Sequence, residues 1–112
     1  MITKPYILVV DDEVLNKLVI QSFLEDDYEV VTVNNGKECL NSVSKRLPEL
    51  IITDIEMPVM DGLEACKRLR ANDKYKHITV VFMSTLSEEN VSDKCNEAGG
   101  NYFFQKPVNK DE

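Results

Sequence analysis

The chain has 112 residues, with 13 Lys and Arg against 20 Asp and Glu, a formal net charge of -7. One domain fills that length and can bury a full core without staples, and 43% hydrophobic with 29% charged residues is globular usage, not disorder. The acidic balance disfavours direct contact with nucleic acid or an anionic membrane surface, both of which select clusters of Lys and Arg.

Five apolar runs mark candidate strands: Tyr6 to Val10, Tyr28 to Val33, Leu50 to Thr53, Ile78 to Met83 and Tyr102 to Phe104. The first, third and fourth are nearly continuous in aliphatic and β-branched residues, the pattern of strands covered on both faces of a parallel sheet. The second alternates and suits an edge. Helical segments are predicted between them. Glu13 to Leu24 carries Leu15, Leu18, Val19, Ser22 and Phe23 at close to a 3.6 period. Gly36 to Lys45 carries Cys39, Leu40 and Val43. Leu63 to Arg70 carries Leu63, Cys66 and Leu69, with Glu64, Lys67, Arg68 and Arg70 turned outward. Ser87 to Ala98 carries Val91, Cys95 and Ala98, with Ser87 as N-cap, Glu88 and Glu89 at the positive end of the dipole, and Gly99-Gly100 as the stop. Strand and helix alternate throughout, so the expected fold is α/β, a parallel sheet with helices on both faces. Asn109-Lys110-Asp111-Glu112 reads as the start of a fifth helix. Residues 1–112 are therefore expected to be a single domain cut from a longer protein, its final helix missing or truncated.

Cys39, Cys66 and Cys95 form no CxxC pair, and His77 is the single histidine. Buried reduced thiols fit better than a disulfide framework or a zinc site. Met1-Ile2-Thr3-Lys4-Pro5 has no signal-peptide pattern, and no apolar run is long enough to span a bilayer. A cytoplasmic location is the expectation. His77 reads as an exposed loop residue, Tyr102 as a packing residue on the sheet face opposite Phe103, Pro58 as a loop former, Asp61-Gly62 as a turn into the third helix, and Glu25-Asp26-Asp27 as a solvated loop.

Ligand-contacting groups in an open parallel sheet follow the carboxyl ends of the strands. Asp11 and Asp12 follow the first run, Asp54 follows the third, Ser84 ends the fourth, and Lys106 follows the last. Taken singly these are a helix cap, a turn residue, a satisfied hydroxyl and a strand terminator. Their joint placement at one sheet edge favours chemistry. Two carboxylates about 4 Å apart repel by roughly 1 to 4 kcal/mol, so three require a cation. Hard oxygen donors suit Mg²⁺, which takes phosphate oxygens as further partners. Lys106 and Ser84 offer a point charge and a hydroxyl to a phosphoryl group, and an aspartate is a competent nucleophile toward phosphorus.

The stretches Val9-Val10-Asp11-Asp12-Glu13, Asp54-Ile55-Glu56-Met57-Pro58-Val59-Met60-Asp61-Gly62, Ala98-Gly99-Gly100 and Lys106-Pro107 resemble the receiver domain of two-component response regulators over nearly the whole chain. The resemblance implies a flavodoxin-like fold with strand order 2-1-3-4-5. It implies that Asp54 accepts a phosphoryl group from the phosphohistidine of a histidine kinase or histidine phosphotransfer protein. Asp11, Asp12, Asp54 and the Glu56 backbone carbonyl would hold Mg²⁺, Asp12 directly and Asp11 through water. Ser84 and Lys106 would grip the phosphoryl oxygens, and Phe103 matches the aromatic whose rotamer follows phosphorylation. Such a domain catalyses only its own phosphorylation and dephosphorylation.

Departures from the pattern are also present. Phe103 has no hydroxyl. Thr85 is larger than the usual Ala or Gly, Glu56 sets an acid beside the site, and Leu86 makes its rim apolar. Asn16 and the Met-Pro-Val-Met-Asp-Gly run look most like receivers embedded in hybrid sensor kinases. Two further readings stay open: a receiver-like interaction module without phosphoryl turnover, and an aspartyl-phosphate hydrolase. The hydrolase would place its nucleophile in a DxD run after the first strand, where this chain has Asp11-Asp12-Glu13. A flavodoxin would need a hydroxyl-rich phosphate loop there, which a carboxylate pair opposes.

Overall fold

The structure, a computed structural model, describes residues 3–85 and 90–106. Strands β1 (Tyr6–Val10), β2 (Glu29–Val33), β3 (Leu50–Asp54), β4 (Thr79–Ser84) and β5 (Tyr102–Gln105) alternate with helices α1 (Val14–Leu24), α2 (Gly36–Lys45), α3 (Gly62–Arg70) and α4 (Val91–Glu97). All pairings are parallel and the order is β2-β1-β3-β4-β5. This is the expected flavodoxin-like order. β1 is buried along its whole length, whereas β2 alternates between exposed and half-buried positions, as an edge strand does. No helix among the described residues is long and apolar enough to cross a membrane.

Alternation along the strands sorts the core into two layers. Leu8, Val10, Ile51, Val80 and Phe82 point to one face, where α2, α3 and α4 deliver Cys39, Val43, Cys66, Leu69, Val91 and Cys95. Ile7, Val9 and Met83 point to the other, where α1 delivers Ile20 and Leu24. Beside α1 this second face opens into an apolar groove of about 390 Å³ that includes Ile52, Val81 and Phe104. The three cysteines are free and buried in the first layer. Burial pushes the thiols up, to about 12 for Cys39 and about 11 for Cys95, which leaves them unreactive.

Three expectations are corrected. On α1, Leu15 and Leu18 do not face the core: they are 71% and 58% exposed, and Val14 and Val19 are exposed too. The helix is apolar around most of its girth, so periodicity could not select the stripe; the buried one runs through Ile20 and Leu24. Arg70 is not turned outward. It lies across two loops and donates to their oxygens. Tyr102 is 61% exposed rather than packed. The described part of α4 begins after Asn90. Ser87, Leu86 and the expected helix start at Asn109 lie outside the described residues, as does Pro107.

Two helix starts have a chemistry that the sequence signals. Asn35 and Asp61 accept the Glu38 and Glu64 amides at 2.9 and 2.8 Å, and Glu38 reaches back to the Asn34 amide at 2.9 Å. Both are polar caps with an acid three residues on. The Asp61 cap starts α3, and Gly62 packs close against the end of β3. Its amide donates to the Ile55 carbonyl at 2.9 Å. A Cβ at Gly62 would come within 2.1 Å of the Asp54 carbonyl oxygen. Gly62→Ala must push the β3 end away and should cost about 1–3 kcal/mol. Urea denaturation monitored by circular dichroism checks this, with Lys67→Ala on the exposed side of α3 as the neutral reference.

Candidate functional site

Parallel strands bring their carboxyl ends to one edge, so residues distant in sequence meet there. Asp11 leaves β1 fully buried, and its amide donates to Val33 at 3.1 Å. Its Oδ1 accepts the Glu13 amide at 2.9 Å, which turns the chain into α1. Its Oδ2 accepts from Lys106 Nζ at 2.9 Å. The same ammonium donates to Asp54 Oδ2 at 3.2 Å. Asp54 Oδ1 is held by the Ile55 amide at 2.8 Å, so both buried carboxylates are oriented from two sides. Asp12 is exposed, yet one oxygen from each of Asp11, Asp12 and Asp54 lies within 4.8 Å of the others.

The electrostatics follow from that crowding. Burial raises the Asp54 pKa, the Asp11 charge raises it further, and Lys106 opposes both. Burial works against the Lys106 charge, but the Asp11 and Asp54 carboxylates outweigh it and hold the ammonium above its ordinary value. A shared cation thus keeps two like charges in place. An oxygen-only donor set with a surplus of negative charge suits a hard divalent cation. The residues present fit such an ion.

The remaining expected site residues lie on β4, β5 and the segments that follow β3 and β4. Ser84 is buried at the end of β4, one residue beyond Met83, which pairs with Asp54 in the sheet. Its carbonyl accepts the Lys106 amide at 2.8 Å. Glu56 and Thr85 are exposed beside it. Phe103 sits on β5 opposite Phe82 and packs half-buried against the α4-covered layer. Two features escaped the sequence reading. Val59 holds φ at 71° while the Met60 amide donates to Pro58 at 2.8 Å, a tight three-residue turn that no β-branched residue advertises. The apolar outer face of α1 begins two residues after Asp12.

The family described as response regulator receiver domain matches residues 7–112. The chain belongs to that family. This receiver domain is 37% identical over 94% of its length to the two-component response regulator ORR3 of Oryza sativa subsp. indica, of which it covers 82%. It is 34% identical over 95% of its length to histidine kinase P4 of Formosa agariphila, and spans 8% of that much longer protein. Among solved structures it is similar to the receiver domain of the response regulator Ssk1, co-crystallised with the Saccharomyces cerevisiae histidine phosphotransfer protein Ypd1. The TM-score is 0.87 at 27% identity, covering 97% of this chain and 83% of that one. Two-component phosphorelay is therefore the setting of this domain.

The raised Asp54 pKa carries a sign. Its folded value exceeds its unfolded one, so ionisation costs stability as pH rises above the ordinary carboxylate range, and the cost is complete above the folded pKa. Asp54→Asn should raise the urea midpoint of the protein in a metal chelator at pH 7. The gain should shrink as pH falls through the raised native pKa toward the ordinary carboxylate range, as the native carboxyl takes up its proton. Equilibrium unfolding at a series of pH values reads both.

Proposed function

We propose that Asp54 is the phosphoacceptor of this receiver, taking a phosphoryl group from the phosphohistidine of a histidine kinase or phosphotransfer protein. The observation that carries the reading is the shared ammonium: Lys106 contacts Asp11 and Asp54 together, with Asp12 adjacent. The reaction forms an O–P bond at Asp54 as the P–N bond breaks. With its far ring nitrogen protonated, the imidazole leaves neutral. Little covalent chemistry falls to the protein, so catalysis is positioning and charge neutralisation. The Ile55 amide holds one Asp54 oxygen so that the other faces the incoming phosphorus, and Lys106 neutralises oxygens of the transferred group. Asp11, Asp12, Asp54 and the Glu56 backbone carbonyl would hold Mg²⁺, which supplies further charge neutralisation at phosphoryl oxygens when bound. The chain contributes the acceptor half of the transfer and catalyses only its own phosphorylation and dephosphorylation. Residues 1–112 act as one domain.

The response is a two-state change. The phosphoryl group draws the Ser84 hydroxyl toward it, and Phe103 turns into the space released. Moving such an equilibrium from 1:99 to 99:1 takes about 5.5 kcal/mol. New charge-assisted contacts at about 1.5–3 kcal/mol each, one to Ser84 and one to Lys106, approach that range. Phe103 has no hydroxyl to bond at its destination, so the switch rests on packing.

The donor must abut the mouth of the site, because Asp54 is buried at the sheet edge. A stable protein contact covers about 800 Å² per partner, so a surface centred on that mouth includes the first turns of α1. Exposed Val14, Leu15 and Leu18 supply the apolar centre such contacts use. A phosphoryl-transfer site without docking would leave those three side chains unexplained.

Acetyl phosphate with Mg²⁺ should label the wild type and leave Asp54→Asn unlabelled on Phos-tag gels; label on the variant removes the assignment. Saturation with Mg²⁺ at about 100 times its Kd should stabilise the wild type by about 2.7 kcal/mol, and Asp12→Asn should weaken the ion's binding. Lys106→Ala should still accept phosphate yet lose the chemical-shift response of β5 to beryllofluoride. Leu15→Glu should slow transfer from a phosphorylated histidine phosphotransfer protein by about tenfold more than it slows labelling by acetyl phosphate, the loss of one interface hot spot.

A further inference from the structure

The segment between Asp54 and Gly62 is a closed excursion from the end of β3. Its base is tied where the Gly62 amide donates to the Ile55 carbonyl at 2.9 Å. Its far side is tied to α2, where the Gly36 amide donates to the Met60 carbonyl at 2.8 Å. A Cβ on Gly36 would stand 2.7 Å from that same oxygen, so α2 is as near as glycine allows. Within the excursion the Met60 amide donates to the Pro58 carbonyl at 2.8 Å, and Asp61 accepts the Glu64 amide at 2.8 Å as the cap of α3. Val59 is enclosed by these bonds and held at φ 71°.

The backbone of this turn is therefore over-determined, yet valine is a poor residue for it. Left-handed backbone crowds a Cβ against the following carbonyl, and a β-branched side chain suffers most, whereas Gly or Asn adopts it readily. Burial does not offset the strain. Val59 is 76% exposed, more than Val14 or Leu15 on α1. Met57, two residues earlier, packs instead against the core layer under α2, α3 and α4. A single exposed apolar side chain is ordinary on a protein surface. One that strains its own backbone and gains no burial within its own chain is not, and such strain gathers where a protein meets a ligand or a partner.

We propose that Val59 is a docking residue for the phosphohistidine donor, an apolar side chain held outward on the strained turn to meet an apolar patch beside the donor's histidine. The proposal rests on the phosphoacceptor reading for the partner, and on strain that no burial offsets for the residue. Four residues of chain lead from Ile55 to Val59, so Val59 lies within about 14 Å of the end of β3. A contact of about 800 Å² per partner is a disc of about 16 Å radius, so a donor centred on Asp54 covers it. α1 lies on one face of the sheet, while the excursion is tied to α2 and α3 on the other. Val59 and the α1 stripe thus give the donor apolar contacts on both sides of the sheet edge, which fixes its tilt as well as its place.

The test is Val59→Asn, which suits the left-handed backbone and removes the apolar branches, with Val59→Ile as the conservative companion. Labelling with Mg²⁺ present is followed on Phos-tag gels from acetyl phosphate and from a panel of phosphorylated histidine phosphotransfer proteins. Val59→Asn should raise the donor-protein concentration at half-maximal rate by about tenfold with the limiting rate kept, the loss of one buried valine side chain. That effect should exceed its effect on labelling by acetyl phosphate by about tenfold. Val59→Ile should keep the wild-type value. The urea midpoint of Val59→Asn should equal or exceed that of the wild type, because the strain is relieved. Donor transfer to Val59→Asn with wild-type half-saturation overturns the proposal. So does a urea midpoint below the wild type's, or a failure to fold, which returns the side chain to a role within its own chain. If the wild type is labelled by acetyl phosphate and by no donor protein, the docking proposal falls and Asp54 stays the acceptor. If it is labelled by neither, the phosphoacceptor reading itself has failed.

Discussion

One ammonium between two buried carboxylates is the constraint on which the site depends. Asp11 and Asp54 leave adjacent parallel strands at the same level, so the sheet itself forces like charges together. Water cannot screen them, because Asp11 is fully buried and Asp54 nearly so. Lys106 solves this from a third strand by donating to both. The sheet order matters for that reason: β4 stands between β3 and β5, and Lys106 must reach past the Ser84 end of β4 to arrive. A group that displaces Lys106 from Asp54, or neutralises Asp54, changes the tension between β3 and β5 directly.

Much of this was legible in the sequence because the relevant signals are local. Continuous β-branched runs mark buried parallel strands, and an acid or a base just past such a run has one place to go. Asp11, Asp12, Asp54, Ser84 and Lys106 could thus be assigned to one edge without knowing any distance. The cores of α2 and α3 were legible for a similar reason: Cys39, Val43, Cys66 and Leu69 stand on faces whose opposite sides are charged.

What was not legible needed tertiary information. In α1, a polar arc too narrow to orient the helix left Leu15 and Leu18 looking like core, and the one-residue rotation that buries Ile20 is set by the strands beneath it. Arg70 looked like any basic residue in the last turn of a helix. Its partners are carbonyls from loops that sequence spacing does not place beside it. Val59 adopts a left-handed conformation because the Met60 carbonyl is held by the Gly36 amide at 2.8 Å across the gap to α2. The chain must turn within three residues to deliver that oxygen.

The two ends of β4 and β5 are made from opposite materials, and this division explains how one strand pair serves both stability and response. At the amino ends, Arg70 and Asn101 place neutral carbonyls and amides around a guanidinium, with each strong donor matched to an acceptor. Such a network is satisfied in one arrangement and resists change. At the carboxyl ends, three carboxylates cluster and Lys106 bonds two of them, Asp11 and Asp54, leaving negative charge in excess of its counter-charge. That arrangement is responsive because an added cation or phosphoryl group alters its balance by several favourable contacts at once. Phe82 and Phe103 lie between the two ends on the α4 side, paired in register. A shift at the charged edge passes through their packing before it meets the Arg70 network at the other end of the same two strands.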